Sequence, residues 1–377
     1  MSPGQAILQY MKESGWSQKD LADVLGVQAP TVNNLIKGKR QITVEVARDL
    51  ASVFGTDAEY WWNLGTAFRA FQLFGSSPVD ENLARRAKLF RAAPVNDMIK
   101  RKWIQGTDDI ALLEKQVLGF YGADSIDDLA AQIPHALRKS SSYLKETASE
   151  RFWMQRVKQL APAAPVTTKF TDVKFAEAMA KFKGLLGHPE SVRHIPKILA
   201  DAGIRFVIVE NLPQTGIDGV CVWLDKSSPV IALSLFRDRM DSVWFSLFHE
   251  MDHVKNRDGL MLPPIVDSRL TGEDAVPEND KPAIEQRADA FASTSLIPAN
   301  DLDNFIVRIG PLYSKPRIAG FAKRVGVHPG IVVGQLQYRR EIDWNQNKDL
   351  VVRVRDILTH AAPTDGWGMG AILPAVS

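Results

Sequence analysis

The chain has 377 residues, 45% apolar and 24% charged, the composition of a soluble globular protein too long for one ordinary core. Its 46 basic and 44 acidic residues leave a net charge of +2, which argues against indiscriminate coating of nucleic acid but allows a local basic patch. The lone Cys221 excludes an intrachain disulfide and a cysteine-rich zinc site, and polar residues interrupt the first sixteen positions where a signal peptide would be apolar.

No run approaches bilayer-spanning length, so no membrane partner is expected and a reducing cytoplasm is the natural setting. Residues 4–75 read as short amphipathic helices. Ser17 is placed to cap one of them, with Asp20 three residues on; Leu21, Ala22 and Leu25 form its inner face and Gly26 ends it. Pro30 suits the first turn of the next helix, which runs through Thr31, Asn33 and Asn34 to a stop at Gly38. Two short helices around a glycine turn are the geometry that lays the second in a major groove. Gln18, Gln28, Thr31, Asn33 and Asn34 are then candidate DNA contacts, and Lys37, Lys39 and Arg40 could reach phosphates. The pattern alone also fits a small helical interaction bundle.

Gly15-Trp16-Ser17-Gln18, Leu21-Ala22, Leu25-Gly26-Val27, Gly38-Lys39-Arg40, Phe54-Gly55-Thr56 and Trp62-Asn63-Leu64 together resemble the XRE-type domain of HigA antitoxins over about 70 residues. That resemblance implies binding of a double-stranded DNA operator as a homodimer.

Residues 76–158 keep a helical pattern, with basic clusters at Arg85-Arg86-Lys88-Arg91 and Lys100-Arg101-Lys102 whose default reading is an exposed helix face. Ala161-Pro162-Ala163-Ala164-Pro165 predicts an interdomain linker. Beyond it, helices are expected near Phe175–Leu186 and Val192–Ala202, and strands at Ile204–Val209, Gly219–Leu224 and Val230–Leu233. The second half is therefore α+β and the first all-α.

A long helix is predicted from Arg239 to Asn256, with Met240, Val243, Trp244, Leu247, Phe248, Met251 and Val254 on one stripe. His249 and His253 then lie one turn apart on the other side, the spacing by which two imidazoles reach one tetrahedral metal. Glu250 between them is placed to hold a water as general base. A solvated helix with two surface histidines is the plainer alternative. Glu285 and Asp289 share one face of a following helix. The first completes a His₂Glu zinc site with one position left to water, and the second is suited to accept a ligand histidine's free ring N–H.

The segments Ile217-Asp218-Gly219, Ile231-Ala232-Leu233, Phe245 to His253, Glu285 with Ala288 to Ala292, and Leu296-Ile297-Pro298 resemble the ImmA/IrrE metallopeptidases over about residues 170–300. The resemblance implies a zincin-like fold, Zn²⁺ held by His249, His253 and Glu285, and Glu250 as catalytic acid/base. Cys221 is expected as a packed core thiol, Trp61 and Trp62 as core at a helix end, and His328 as a turn residue.

The expected architecture is multidomain. An all-α helix-turn-helix domain (1–75) precedes a helical connector ending in the Pro/Ala linker (76–165). An α+β zincin-like domain (166–300) and a helical C-terminal segment (301–377) follow. The expected function is a cytoplasmic DNA-binding regulator and zinc-dependent metalloendopeptidase that hydrolyses a specific protein partner of repressor or toxin type. The alternative is an antitoxin-like repressor whose zinc domain binds or senses a partner without cutting it.

Overall fold

A computed structural model describes residues 1–75, 81–131, 147–213, 215–261, 267–268, 270, 272–273, 277, 280–367 and 371–372. The chain divides into two compact units, Met1–Ala84 and Arg85–Ser377.

The first unit is built from α1 (Pro3–Ser14), α2 (Gln18–Leu25), α3 (Ala29–Ile36), α4 (Val44–Phe54) and α5 (Ala58–Phe74). Ser2 with Gln5, and Ser17 with Asp20, form reciprocal capping boxes that satisfy orphan N–H groups at the starts of α1 and α2. Gly26 closes α2 at a φ of 67°, a left-handed conformation that glycine adopts without a Cβ penalty. Ile7, Leu21, Val32, Leu50 and Trp61 form the core. Trp61 is fully enclosed and donates to Thr56 Oγ1 at 2.7 Å, whereas Trp62 is exposed, so only one of the pair is core.

α6 (Glu81–Ala92) leads into α7 (Val95–Lys100), α8 (Ile110–Tyr121), α9 (Ile126–Ala131) and α10 (Ala148–Leu160). Leu89, Met98, Leu113, Val117 and Leu129 of these helices pack around Phe152 of α10. The next residue, Trp153, faces the other way, into a core beneath the sheet, and its indole N–H donates to Val209 O at 2.7 Å. α10 thus serves two cores at once.

α11 (Asp172–Lys183) and α12 (Ile195–Asp201) precede β1 (Arg205–Ile208), β2 (Ile217–Trp223) and β3 (Pro229–Leu233). Then come α13 (Met240–Asn256), α14 (Asp258–Met261), β4 (Asp267–Ser268) and α15 (Ala283–Leu296). α16 (Ala299–Ile309), α17 (Lys315–Val325), α18 (Pro329–Tyr338), α19 (Arg355–Thr359), β5 (Pro363–Thr364) and β6 (Ala371–Ile372) complete the chain. The sheet order is β4-β2-β3-β1-β5-β6. β1 is parallel to β3 and to β5, and β2 is antiparallel to β3 and to β4.

Side chains alternate between two buried faces. Phe206, Ile208, Cys221, Ile231 and Leu233 join the large helical core, while Val207, Val209, Val220, Val222, Val230 and Ala232 join the core under α10. Covering both faces is why these strands read as unbroken apolar runs.

Two expectations are corrected. The Ala161–Pro165 stretch is not a free linker. Ala161 to Ala163 forms a 3₁₀ turn, and Ala161 and Ala164 are buried against the second sheet face, where small side chains allow close approach. The C-terminal segment is not wholly helical, because β5 extends the sheet beside β1, with Ile208 opposite Thr364.

The basic cluster at 100–102 is only partly exposed. Arg101 is buried and donates to Glu210 O at 2.7 Å, tying α7's end to the sheet. In the earlier cluster, Arg85 pairs with Glu114, Arg86 donates to Asp108 O, and Lys88 pairs with Asp127.

Candidate metal centre

Helix α13 is enclosed on every side: all fifteen residues from Met240 to Val254 are buried. The apolar stripe faces the core through Trp244, Leu247, Phe248 and Met251. The opposite side, where the sequence places His249 and His253, is covered by α15 and by β2. No solvated face exists along the motif.

The two imidazoles converge, with their Nε2 atoms 3.1 Å apart. Glu285 Oε2 lies 3.1 Å from the His249 Nε2 and 3.6 Å from the His253 Nε2. A residue the sequence reading did not select completes the group: Asp267 Oδ2 stands 3.7 and 3.9 Å from the same two nitrogens. All four candidate ligand atoms fall within 4.8 Å of one another. A tetrahedral ion with bonds of about 2.0 Å separates its ligand atoms by roughly 3.3 Å, so this spacing fits a zinc-sized ion.

The outer ring nitrogens are engaged. His249 Nδ1 meets Asp289 Oδ1 at 2.9 Å, and His253 Nδ1 meets Asp258 Oδ2 at 2.9 Å. Each carboxylate accepts the Nδ1–H, which directs Nε2 inward, the nitrogen a metal would take once it gives up its proton. Those carboxylates are themselves held: Asp289 by Lys281, Asp258 by Arg287, and Arg287 also reaches Asp252 at 2.7 Å.

Glu250 has 0% exposure, and neither of its carboxylate oxygens has a hydrogen-bond partner among the described residues. Asp267 Oδ1 and Glu285 Oε1 are likewise unpartnered. Buried carboxylates without partners are costly, and a bound cation and water would satisfy them. The gap beside Glu250 depends on Gly219 of β2, because a Cβ there would lie 2.7 Å from Glu250 Oε1.

The electrostatics follow from burial and crowding. Burial pushes the Glu250 carboxyl well above the usual carboxylate range, and Asp267 adds to the effect. Asp267 is raised to about 6 by burial and then by Glu285, against the pull of His249. Burial works to lower His253, but Asp258, Glu285 and Asp267 prevail and carry it to about 10. His249 is likewise held well above its usual value by Asp267, Asp289 and Glu285 despite its burial. Glu285 lies well below its usual range, because the two histidines outweigh burial. Metal binding here would displace protons from the imidazoles.

The structure thus brings His249, His253, Glu285, Glu250 and Asp289 together. Missed were Asp267, Asp258, Lys281, Arg287 and Gly219. Asp258, five residues after His253, was a usable signal; Asp267 lies in a stretch with no readable periodicity. His328 caps α18, its Nδ1 accepting from Gly330 N at 3.0 Å, and Cys221 is buried.

In the first unit, Gln18, Gln28, Asn34, Lys37, Lys39 and Arg40 are exposed, and Thr31 and Asn33 are half-buried. Val32 and Leu35 turn the other side of α3 into the core. A polar face with three cations just past its end is a usable groove-reading surface.

Residues 7–61 match the helix-turn-helix family. An uncharacterized HTH-type transcriptional regulator, YbaQ of Escherichia coli (strain K12), is 32% identical over 85 residues, 22% of this chain and 75% of that protein. An uncharacterized HTH-type transcriptional regulator of Haemophilus influenzae is 37% identical over 76 residues, 20% of this chain and 71% of its own length. Among the described residues no helix is long and apolar enough to cross a membrane.

Proposed function

The chain belongs to the helix-turn-helix transcriptional regulators through its first unit, and on that footing we propose that the second unit is a zincin-like, zinc-dependent endopeptidase acting on a specific protein partner. The partner is of repressor or toxin type, and the regulator binds its DNA operator as a homodimer. One observation carries the peptidase reading: two inward imidazole nitrogens and the Glu285 carboxylate converge beside a second carboxylate, Glu250, that is buried and has no hydrogen-bond partner among the described residues.

His249, His253 and Glu285 would hold the ion. Zinc bound there would supply Lewis acidity toward the scissile carbonyl and lower the pKa of an attacking water. Glu250 takes that water's proton and delivers it to the departing amide nitrogen. Asp289 and Asp258 keep both imidazoles in the ligand tautomer throughout.

A second reading has its own support. Asp267 offers a fourth protein ligand, and fully protein-ligated zinc sites are characteristically structural rather than catalytic. On that reading the domain binds or senses its partner without cutting it, as an antitoxin-like repressor would.

The deciding experiment uses the zinc-loaded full chain, its Glu250→Gln variant and the protein product of the adjacent gene. Glu250→Gln should keep its zinc and lose cleavage by about 10²–10⁴-fold. Cleavage undiminished in the variant would overturn the peptidase assignment.

A further inference from the structure

β4 is a strand of two residues on the outer edge of β2, paired so that Asp267 lies opposite Gly219 and Ser268 opposite Ile217. Gly219 is also the residue whose missing side chain makes room for Glu250 Oε1. The pairing therefore delivers Asp267 to the place along the β2 edge that lies beside the proposed general base. Its side chain is 1% exposed and turns inward, with Oδ2 less than 4 Å from both Nε2 atoms. Three residues on, Leu270 N donates to the buried Asp218 Oδ2 at 2.7 Å, which pins the segment against β2 a second time.

His249, His253 and Glu285 already make a complete three-residue donor set, the number that leaves a catalytic ion one open position. A fourth donor, the Asp267 carboxylate, closes that position. A second carboxylate on the same ion also offsets more of its charge and weakens it as a Lewis acid. An extended segment on an exposed sheet edge is in addition the way a peptide backbone is gripped by strand addition.

From these relationships we infer that the protein folds in a latent form: β4 occupies the substrate edge of β2, and the Asp267 carboxylate fills the position that water and the scissile carbonyl must share. The inference rests on the peptidase reading and reconciles it with the four-ligand cage. Activation then means displacement of β4. Two residue pairs, with a register irregularity between Ile217 and Gly219, make a short ladder, and an extended segment of a partner protein with more backbone pairs would outcompete it. The recognition is by backbone pairing along β2, so the partner is one that presents an extended, unstructured segment.

The test uses the full chain with Co²⁺ in place of zinc, so that coordination is read from the visible absorption spectrum, and acetohydroxamate as the probe of an open position. In the wild type the spectrum should resist acetohydroxamate. Asp267→Ala, and Asp267→Asn as the variant that keeps residue size and strand pairing, should bind it at least about tenfold more tightly. Equal acetohydroxamate affinity in wild type and variants would overturn the inference and leave the peptidase reading standing. Loss of Co²⁺ from both variants would also overturn it, since Asp267 would then be an indispensable ligand. Wild-type protein that takes up no Co²⁺ would sink the metal reading itself, and this inference with it.

Discussion

The Nδ1 atom of His249 sits 2.9 Å from Asp289 Oδ1, and Lys281 and Tyr338 converge on the other oxygen of that carboxylate. His249 is therefore aimed by a side chain from α15 that is itself aimed from two further directions. Asp289→Ala frees the ring to rotate and removes the acceptor that favours its ligand tautomer. Zinc affinity should fall about 10–100-fold, measured by competition with a chromogenic chelator. Unchanged affinity would show that packing alone orients the ring.

Gly219→Ala probes the close approach between β2 and α13. The new Cβ would lie 2.7 Å from Glu250 Oε1, 3.0 Å from Leu233 Cδ2 and 3.1 Å from Ala232 O. The carboxylate can move, but the backbone oxygen cannot move freely, so a cost of about 1–3 kcal/mol is expected in urea unfolding. Zinc should stay bound. Cleavage should drop by about 10²-fold, because a catalytic group displaced by an ångström loses that much.

Asp218 gives a pH dependence with a definite sign. Burial raises its carboxyl from 3.8 to about 7, opposed by the Leu270 amide and Arg237 and reinforced by Asp267. The folded state thus holds this proton more tightly than the unfolded chain. Its stabilising contribution is full below about pH 4 and is lost as pH rises through 7. Asp218→Asn keeps an oxygen to accept from Leu270 N and removes the titration. Urea midpoints of metal-free protein should fall less steeply between pH 4 and 7 in the variant. At pH 8 the variant should be the more stable, by up to about 4 kcal/mol; parallel pH profiles would refute this.

On the DNA side, Lys39 and Arg40 are exposed just past α3, while Asn34 is exposed on the helix itself. Lys39→Ala and Arg40→Ala should weaken all duplexes alike and each flatten the plot of log affinity against log salt by about one unit. Asn34→Ala should instead cost about 1–3 kcal/mol on the preferred operator and relax its sequence preference. Fluorescence anisotropy across a salt series separates the two behaviours. A uniform loss for all three would assign Asn34 to the backbone.

The parts legible in the sequence were those governed by local periodicity. The four-residue step from His249 to His253 and the matching step from Glu285 to Asp289 each define a helix face, so both halves of the centre could be read from residue order. Ser17, Asp20 and Gly26 marked α2 by the chemistry of its ends. What could not be read depends on partners far away in the chain. β4 exists because Asp267 meets Gly219 across 48 residues, and two residues carry no period. β5 is defined by Ile208, more than 150 residues earlier. Alanine and proline at 161–165 signalled a linker because small side chains look uncommitted, although it is their smallness that lets the turn press against the sheet. Nothing near Arg101 in the sequence signals its burial, because its guanidinium finds its acceptors far along the chain, at Glu210, Asn211 and Asp365.

That packed turn bears on how the protein can be divided for study. A fragment starting after Pro165 would lose Trp153, Val157, Leu160 and Ala161. It would bare Val207, Val220, Val222, Val230 and Ala232 to water as one continuous β surface. Such a face, rich in valine, is a template for sheet-to-sheet aggregation. Excision of the chain after Pro165 alone should therefore yield insoluble material, and a workable excision begins ahead of α10.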